Sequence, residues 1–272
     1  MSVNSFKPQL WEGALLANFH NTSIADAIST KPTDIKGDKV TFNRVGAGSV
    51  KDYTGTISWD DINTTPIDMT FEQKKYFAFS LADIDKVQLK GDVMKATTAE
   101  HASVLAEKYD SYVLNKLASS KSNLLTTKKL TPDSVYDSIV DMGTKLSKNK
   151  VPKTDRFVIV DAEILGLLSK DPRFIINPNV LENGFVEGQK INGMQVMSSE
   201  ELPAGNIIAH HKSAVGAAKQ LSETEAMRLQ SSFADGIRGL CVYDSVILRD
   251  EAIVVQPYTL ELNSPLVEGE DQ

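Results

Sequence analysis

A chain of 272 residues and 29.8 kDa, 41% hydrophobic and 24% charged, has the composition of a globular protein. It is long enough for one large or two modest domains that need neither disulfides nor a structural metal. The single cysteine, Cys241, excludes an internal disulfide and every multi-cysteine zinc pattern. No apolar run approaches the roughly 18 residues of a membrane span, and the N-terminus lacks the pattern of a signal peptide, so a protein made in a reducing cytosol is expected. A net charge of −7 disfavours dedicated nucleic-acid binding. The charge is uneven, however: nine basic and four acidic residues lie between Lys116 and Arg156, while Glu261–Gln272 holds four acidic residues and no basic one.

The first 37 residues read as an extended arm. Trp11–Phe19 could form a short helical turn, and Asn21-Thr22-Ser23 and Lys31-Pro32-Thr33 are turn-rich. From Asp38 to about Leu81 strand patterns dominate. Val40 and Phe42 alternate with polar residues, as do Ile67, Met69 and Phe71. Gly46-Ala47-Gly48-Ser49 then reads as the tip of a hairpin whose second strand lies near Tyr53–Ser58. Such a hairpin is too poor in apolar residues to stand alone and must lie on its own chain or on a neighbour.

A long helix follows. Thr97-Thr98-Ala99-Glu100 has capping-box spacing, and Ala102, Leu105, Ala106, Tyr109, Tyr112, Val113 and Leu117 form one stripe that ends at Ser119-Ser120. A second helix starts at Thr131-Pro132, buries Val135, Ile139, Met142 and Leu146, and ends among lysines that suit the helix dipole. Arg156–Val160 reads as a buried strand, with Asp161 capping a helix over 162–169. Gly188–Val196 reads as a turn feeding a strand. Ile207–His210 and Ala214–Lys219 are strand candidates, and Leu240–Leu248 and Ile253–Val255 are expected to form a closing pair. The order is arm, hairpin, long helix, mixed α/β block and terminal strands, so the fold class is α+β.

Sites of chemistry are hard to find. Gly46-Ala47-Gly48 lacks the third glycine of a dinucleotide loop and the lysine placement of a P-loop. His20, His101, His210 and His211 form no metal-binding pair, since adjacent strand residues point to opposite faces. Cys241 lies in an apolar strand and reads as a small buried hydrophobe. Asp60-Asp61 and Asp83-Ile84-Asp85 are carboxylate candidates, but an EF-hand count from Asp83 puts Gln88 where glycine is needed and Met94 where glutamate is needed. No catalytic residue, metal or cofactor is expected. An arm and a hairpin that do not bury themselves point to contacts between copies.

The order of elements resembles the major capsid proteins of tailed bacteriophages with the Hong Kong 97-like fold, over roughly Gly37 to Gln256. Asp60-Asp61-Ile62 through Lys74–Gln88 is similar to that family's extended loop and its run into a spine helix, and Thr97–Ser119 sits where the spine helix belongs. Arg156–Val160 with Asp171-Pro172-Arg173-Phe174 resembles the strand–helix signature of the axial domain. Gly193–Ser198 with Leu202-Pro203, then His211–Gly216, are similar to its glycine–strand–serine stretch, and Phe233–Tyr243 resembles the return to the peripheral domain.

The resemblance implies an N-terminal arm (1–37), an extended loop (38–90), a peripheral domain with the spine helix (91–130), an axial domain (131–239), and closing strands with an acidic tail (240–272). It implies a coat protein that assembles as pentamers and hexamers into an icosahedral shell around double-stranded DNA, in the virion, after assembly in the bacterial cytoplasm. The arm and loop would reach neighbouring subunits, with Val45, Lys51, Tyr53 and Trp59 as inter-subunit contacts. Lys121, Lys128 and Lys129 are the expected non-specific DNA-facing residues. Partners implied are the chain itself, a portal, decoration proteins and, because only about 37 residues precede the hairpin, a separate scaffolding protein or none. Some relatives crosslink a loop lysine to an asparagine; Lys51 is a candidate lysine, with no identifiable partner. An encapsulin-type shell around cargo enzymes, and a soluble enzyme using Asp60, Asp61, Asp83 or Asp85, are the alternatives.

Overall fold

The computed structural model describes residues 23–45, 52, 53, 55, 64–82, 93–174, 185–228 and 234–260. The chain begins with α1 (Ala25–Ile28), β1 (Asp34–Lys36), β2 (Lys39–Val45), β3 (Thr64–Thr70), β4 (Gln73–Ala82) and the long α2 (Val93–Ala118). Then come β5 (Lys128–Leu130), α3 (Pro132–Lys148), β6 (Arg156–Val160), α4 (Ala162–Leu168), β7 (Phe185–Ile191), β8 (Met194–Ser198) and β9 (Asn206–His211). Two 14-residue strands, β10 (Val215–Arg228) and β11 (Ala234–Ile247), precede the final β12 (Ile253–Leu260). Two compact units result. One comprises Met1–Lys116 with Val215–Leu248, the other Leu117–Ala214 with Arg249–Gln272. Segments 91–130, 131–239 and 240–272 each contribute to both.

In the first unit, β10, β11 and β4 form an antiparallel sheet, and β1, β2 and β3 a smaller one. Residues 25–28 of the expected arm are a helical turn, with Ile24, Ala25 and Ile28 buried, and Thr30 bridges to Gly216. Among the described residues β2 pairs with Thr64–Thr70 and with β1, while most of Tyr53–Ser58, the expected second strand, lies outside them. Val40 stands opposite Met69 and Phe42 opposite Ile67, the register that puts the apolar residues of both strands on one face. That face is covered by its own chain: Val40, Phe42, Met69 and Phe71 cluster with Ala218 and Val242. The base of the hairpin therefore needs no second copy to bury it. Gly216 makes room for this contact, since a Cβ there would stand 2.6 Å from the Phe42 ring. Against the sheet, α2 sets Tyr109 and Tyr112 edge-on to Tyr243, with ring centroids 5.6 and 5.7 Å apart. Because α2 begins at Val93, Thr97 lies inside the helix and is not its N-cap. The stripe behind it is buried as expected at Ala102, Leu105, Ala106, Tyr109, Val113 and Leu117.

In the second unit six strands run in the order β5-β12-β9-β6-β8-β7. All five residues of β6 are buried. The apolar stripe of α3, from Val135 through Ile139 and Met142 to Leu146, is fully buried too. Pro132 opens α3, where the Thr131 amide donates to Ser134 Oγ at 2.9 Å. Asp161 caps α4, accepting the Ile164 amide at 2.9 Å. Two expectations are corrected. Residues 188–191 belong to β7, and the turn is Asn192-Gly193, with φ of 48° and 79°; two consecutive positive φ values are what a two-residue hairpin requires. The strands β11 and β12 are not a pair. β11 joins β10 and β4, while β12 joins β9 and β5, because the 3₁₀ turn Asp250–Ala252 leads the chain into the other unit, where β9 supplies an apolar partner.

Candidate functional site

The described residues with catalytic potential are held by packing and local hydrogen bonds. Cys241 is buried, and burial pushes its thiol up to about 11, the opposite of an activated thiolate. His101 stacks on Phe79 with centroids 4.6 Å apart. His210 is sealed beside Phe157. His211 accepts the Ser213 amide on Nδ1 at 3.1 Å, and burial lowers its pKa. Among the described residues no group of three His, Cys, Asp or Glu is placed to hold a metal, and no helix is long and apolar enough to cross a membrane. His20, Asp60, Asp61, Asp83 and Asp85 lie outside the described residues.

Of the expected loop contacts, Val45 ends β2 opposite Thr64, and Tyr53 is 76% exposed. Lys51, Trp59 and the glycine-rich tip at 46–49 lie outside the described residues. The large exposed apolar side chains of the first unit include Tyr76 on β4, 81% exposed, and Met227 on β10. Tyr76 pairs with Leu240, further along the sheet than the Val242 that the hairpin covers.

The expected DNA-facing trio is not brought together. β12 runs parallel to β5 with Lys128 opposite Tyr258, and Tyr258 donates to Asp161, so Lys128 and Lys129 stand at the Asp161 end of the sheet. Lys128 is held by Asp141 at 2.9 Å. Lys121 belongs to the opposite end, where Ser120 and Ser122 donate to Asp250.

Sequence reasoning missed the buried polar anchors. Arg156, 2% exposed, donates to the carbonyls of Val151, Pro152 and Gly143 at 2.6, 2.7 and 3.3 Å and to Ser147 Oγ at 3.1 Å. Burial lowers its pKa. Asp110 on α2 accepts Ser23 Oγ at 2.6 Å and the amides of Ile24 and Ala25 at 2.9 and 3.0 Å, fixing the start of α1. Beside it, Lys219 Nζ lies 2.8 Å from Asp26 and 5.0 Å over the Tyr109 ring. The available signal for Asp110 was a carboxylate four residues from both Ala106 and Leu114, within the apolar stripe.

A unit with a long helix on an antiparallel sheet, and a second unit with a six-stranded mixed sheet, are those of the Hong Kong 97-like capsid fold. The family described as "Phage capsid protein" matches residues 66–256, and the chain belongs to it. A solved structure from Mycobacterium phage Che8 is similar at 29% identity, covering 82% of this chain and 85% of that one, with a TM-score of 0.60. The capsid structure of the cyanophage P-SCSP1u shares the fold at 16% identity, with 89% of each chain covered and a TM-score of 0.66. A virus-like particle from Pyrococcus furiosus shares it at 13% identity, covering 90% of this chain and 96% of that one, with a TM-score of 0.59. No curated protein matches. The protein is thus a bacteriophage major capsid protein, a structural component of the virion that associates with its own copies into an icosahedral shell.

Proposed function

We propose that the chain assembles as pentamers and hexamers, in the cytoplasm of a bacterial host, into a closed shell that encloses double-stranded phage DNA. The family match over residues 66–256 is the observation that carries this reading. A specific interface buries about 1,600 Å², and a shell subunit makes several, so many moderate contacts add up to a closed particle. Val45, Lys51, Tyr53 and Trp59 serve as contacts to neighbouring copies. An aromatic ring as exposed as Tyr53 is the kind of anchor that gains most when a partner covers it. Portal, scaffolding and decoration proteins complete the set of partners. Genome contact is electrostatic and non-specific, and Lys121, Lys128 and Lys129 are the residues that the sequence puts forward for it.

Negative-stain electron microscopy and light-scattering mass, with and without the phage's scaffolding protein, test the assembly. Rings of five or six subunits or closed shells are expected. A monomer or dimer under every condition rejects the reading. Nuclease-protected DNA in particles purified from infected cells supports DNA as the content, whereas enclosed protein cargo replaces that half of the reading. Tyr53→Ala should raise the concentration needed for assembly about 5- to 30-fold, as loss of an interface anchor worth about 1–2 kcal/mol does.

A further inference from the structure

We propose that the DNA-facing surface is the Arg156 end of the six-stranded sheet, centred on Lys148, Lys150, Lys153 and Lys190; this rests on the shell reading above. The four lysines come from three places in the chain: the end of α3, the loop that follows it, and β7. The Asn192-Gly193 turn draws them together. Asn192 donates to the Val140 carbonyl of α3 at 3.0 Å, and a Cβ on Gly193 would meet the Lys153 carbonyl at 3.8 Å. All four are exposed, and none has an ion-pair partner among the described residues. Asp155 and Glu251 are the exposed acidic groups at that end, and the Asp250 carboxylate is occupied by Ser120 and Ser122.

The other end of the same sheet is the more acidic. Asp161, Glu163, Glu200 and Glu201 gather beyond β6 and β8, with Asp133, Asp137 and Asp171 near the start of α3 and beyond α4. Lys128, Lys129, Lys170 and Arg173 offset only part of that charge, Arg173 being held by Asp137 and Asp171. The five residues of β6 hold the two ends about 13 Å apart at roughly 3.3 Å per residue. That exceeds the Debye length of ~8 Å at physiological salt, so the acidic end offsets the basic one only weakly. A duplex carries one negative charge per ~1.7 Å of axis and asks only for positive charge. Lysines are point charges without the planar fork that fixes a particular carboxylate, which suits that demand. A protein partner would need an apolar centre; of the large exposed hydrophobics among the described residues, Ile35, Tyr53, Tyr76, Val104 and Met227 lie in the other unit, and Leu124 is a single apolar side chain in this one.

The test is the salt dependence of binding between the unassembled full-length protein and a 30-base-pair duplex, read by fluorescence anisotropy. Each phosphate contact contributes about 0.9 to the slope of log K against log salt. Replacing all four lysines by glutamine (K148Q, K150Q, K153Q, K190Q) should therefore lower the slope by about 2–4. The pairs K148Q/K150Q and K153Q/K190Q should each lose about half of that, and K128Q/K129Q less than one. An unchanged slope in the fourfold variant overturns the proposal, as does an equal loss in K128Q/K129Q or no binding by the wild type at low salt. Lost assembly with an unchanged slope would make the patch a contact between copies, and also overturns it. Failure of the wild-type protein to form shells would reject the shell reading instead, while the slopes would still decide the patch.

Discussion

Asp110 in the first unit and Arg156 in the second are both nearly sealed, at 5% and 2% exposure, yet the groups that satisfy them come from different distances along the chain. The acceptors around Arg156 lie 4 to 13 residues before it, on α3 and the loop after it. The donors around Asp110 lie 85 to 87 residues before it, in the segment that opens α1. The guanidinium thus closes a local corner, tying the loop carbonyls of Val151 and Pro152 to the last turns of α3. The carboxylate ties an early segment of the chain to the middle of α2. One is a folding device for its own unit. The other fastens a segment whose neighbours in sequence the assembly reading sends to other subunits.

Arg156→Ala separates the two roles most sharply. It takes the guanidinium donor from the buried Val151 carbonyl and opens a cavity beneath β6. A cost of about 3–5 kcal/mol is expected, the size seen when one side of a buried charged network is removed. Hydrogen exchange should rise throughout β6, β8 and β9, while residues 23–30 keep their protection. Arg156→Lys should recover part of the loss, because an ammonium offers three donors where the guanidinium offers five. Equal loss of protection in both units would show that the corner is not local.

Asp110→Ala is the mirror experiment, with about 2–3 kcal/mol lost as the Ser23 hydroxyl and two amides lose a charged acceptor. Here residues 23–30 should become exchangeable and open to proteolysis while β6 stays protected. An intact segment in this variant would mean that Ile24, Ala25 and Ile28 hold it by apolar contact alone.

The parts of this fold that were legible in the sequence are those set by local periodicity. The stripe from Ala102 to Leu117, the Thr131-Pro132 start of α3 and the apolar run of β6 are such features. What the sequence concealed depends on partners far away. The pairing of β2 with Thr64–Thr70 is fixed by the cluster with Ala218 and Val242, and no local alternation could reveal it. The separation of β11 from β12 depends on two competing sheets. The Asn192-Gly193 dipeptide carries a readable turn signal, which competes with the glycine at 188. For function, the family resemblance carried the shell; the charge count from Lys116 to Arg156 could not say which lysines share a surface, because α3 sends its two ends to opposite ends of the sheet.

Gly216→Ala tests the covered base of the hairpin. Its new methyl group would meet the Phe42 ring at 2.6–2.9 Å, and the ring lies in a closed cluster, so about 1–3 kcal/mol of overpacking is expected. Phe42→Leu in the same chain should restore part of it, and urea midpoints of the four combinations would measure the coupling. Additive effects would show that the small sheet moves aside freely and is not seated on β10.

The smallest effect concerns the charge state of the Asp110 anchor. Burial raises its pKa above the ordinary 3.8, against the lowering by Ser23, Ala25, Ile24 and nearby Lys219. A raised value means that the folded chain holds this proton more tightly than the unfolded one. Stability from this group is then greatest in acid and is lost as pH rises through its folded value. Lys219, lowered by burial against the pull of Asp26 and Asp110, acts in a separate window: its contribution is lost as pH falls from 10.5 through its folded value. Between pH 7 and about 4, therefore, the wild type should gain on Asp110→Asn, whose side chain does not titrate, as read by Tm on unassembled protein. If the wild type instead loses ground on acidification, the three hydrogen bonds outweigh burial, and the anchor is held by its charge rather than in spite of it.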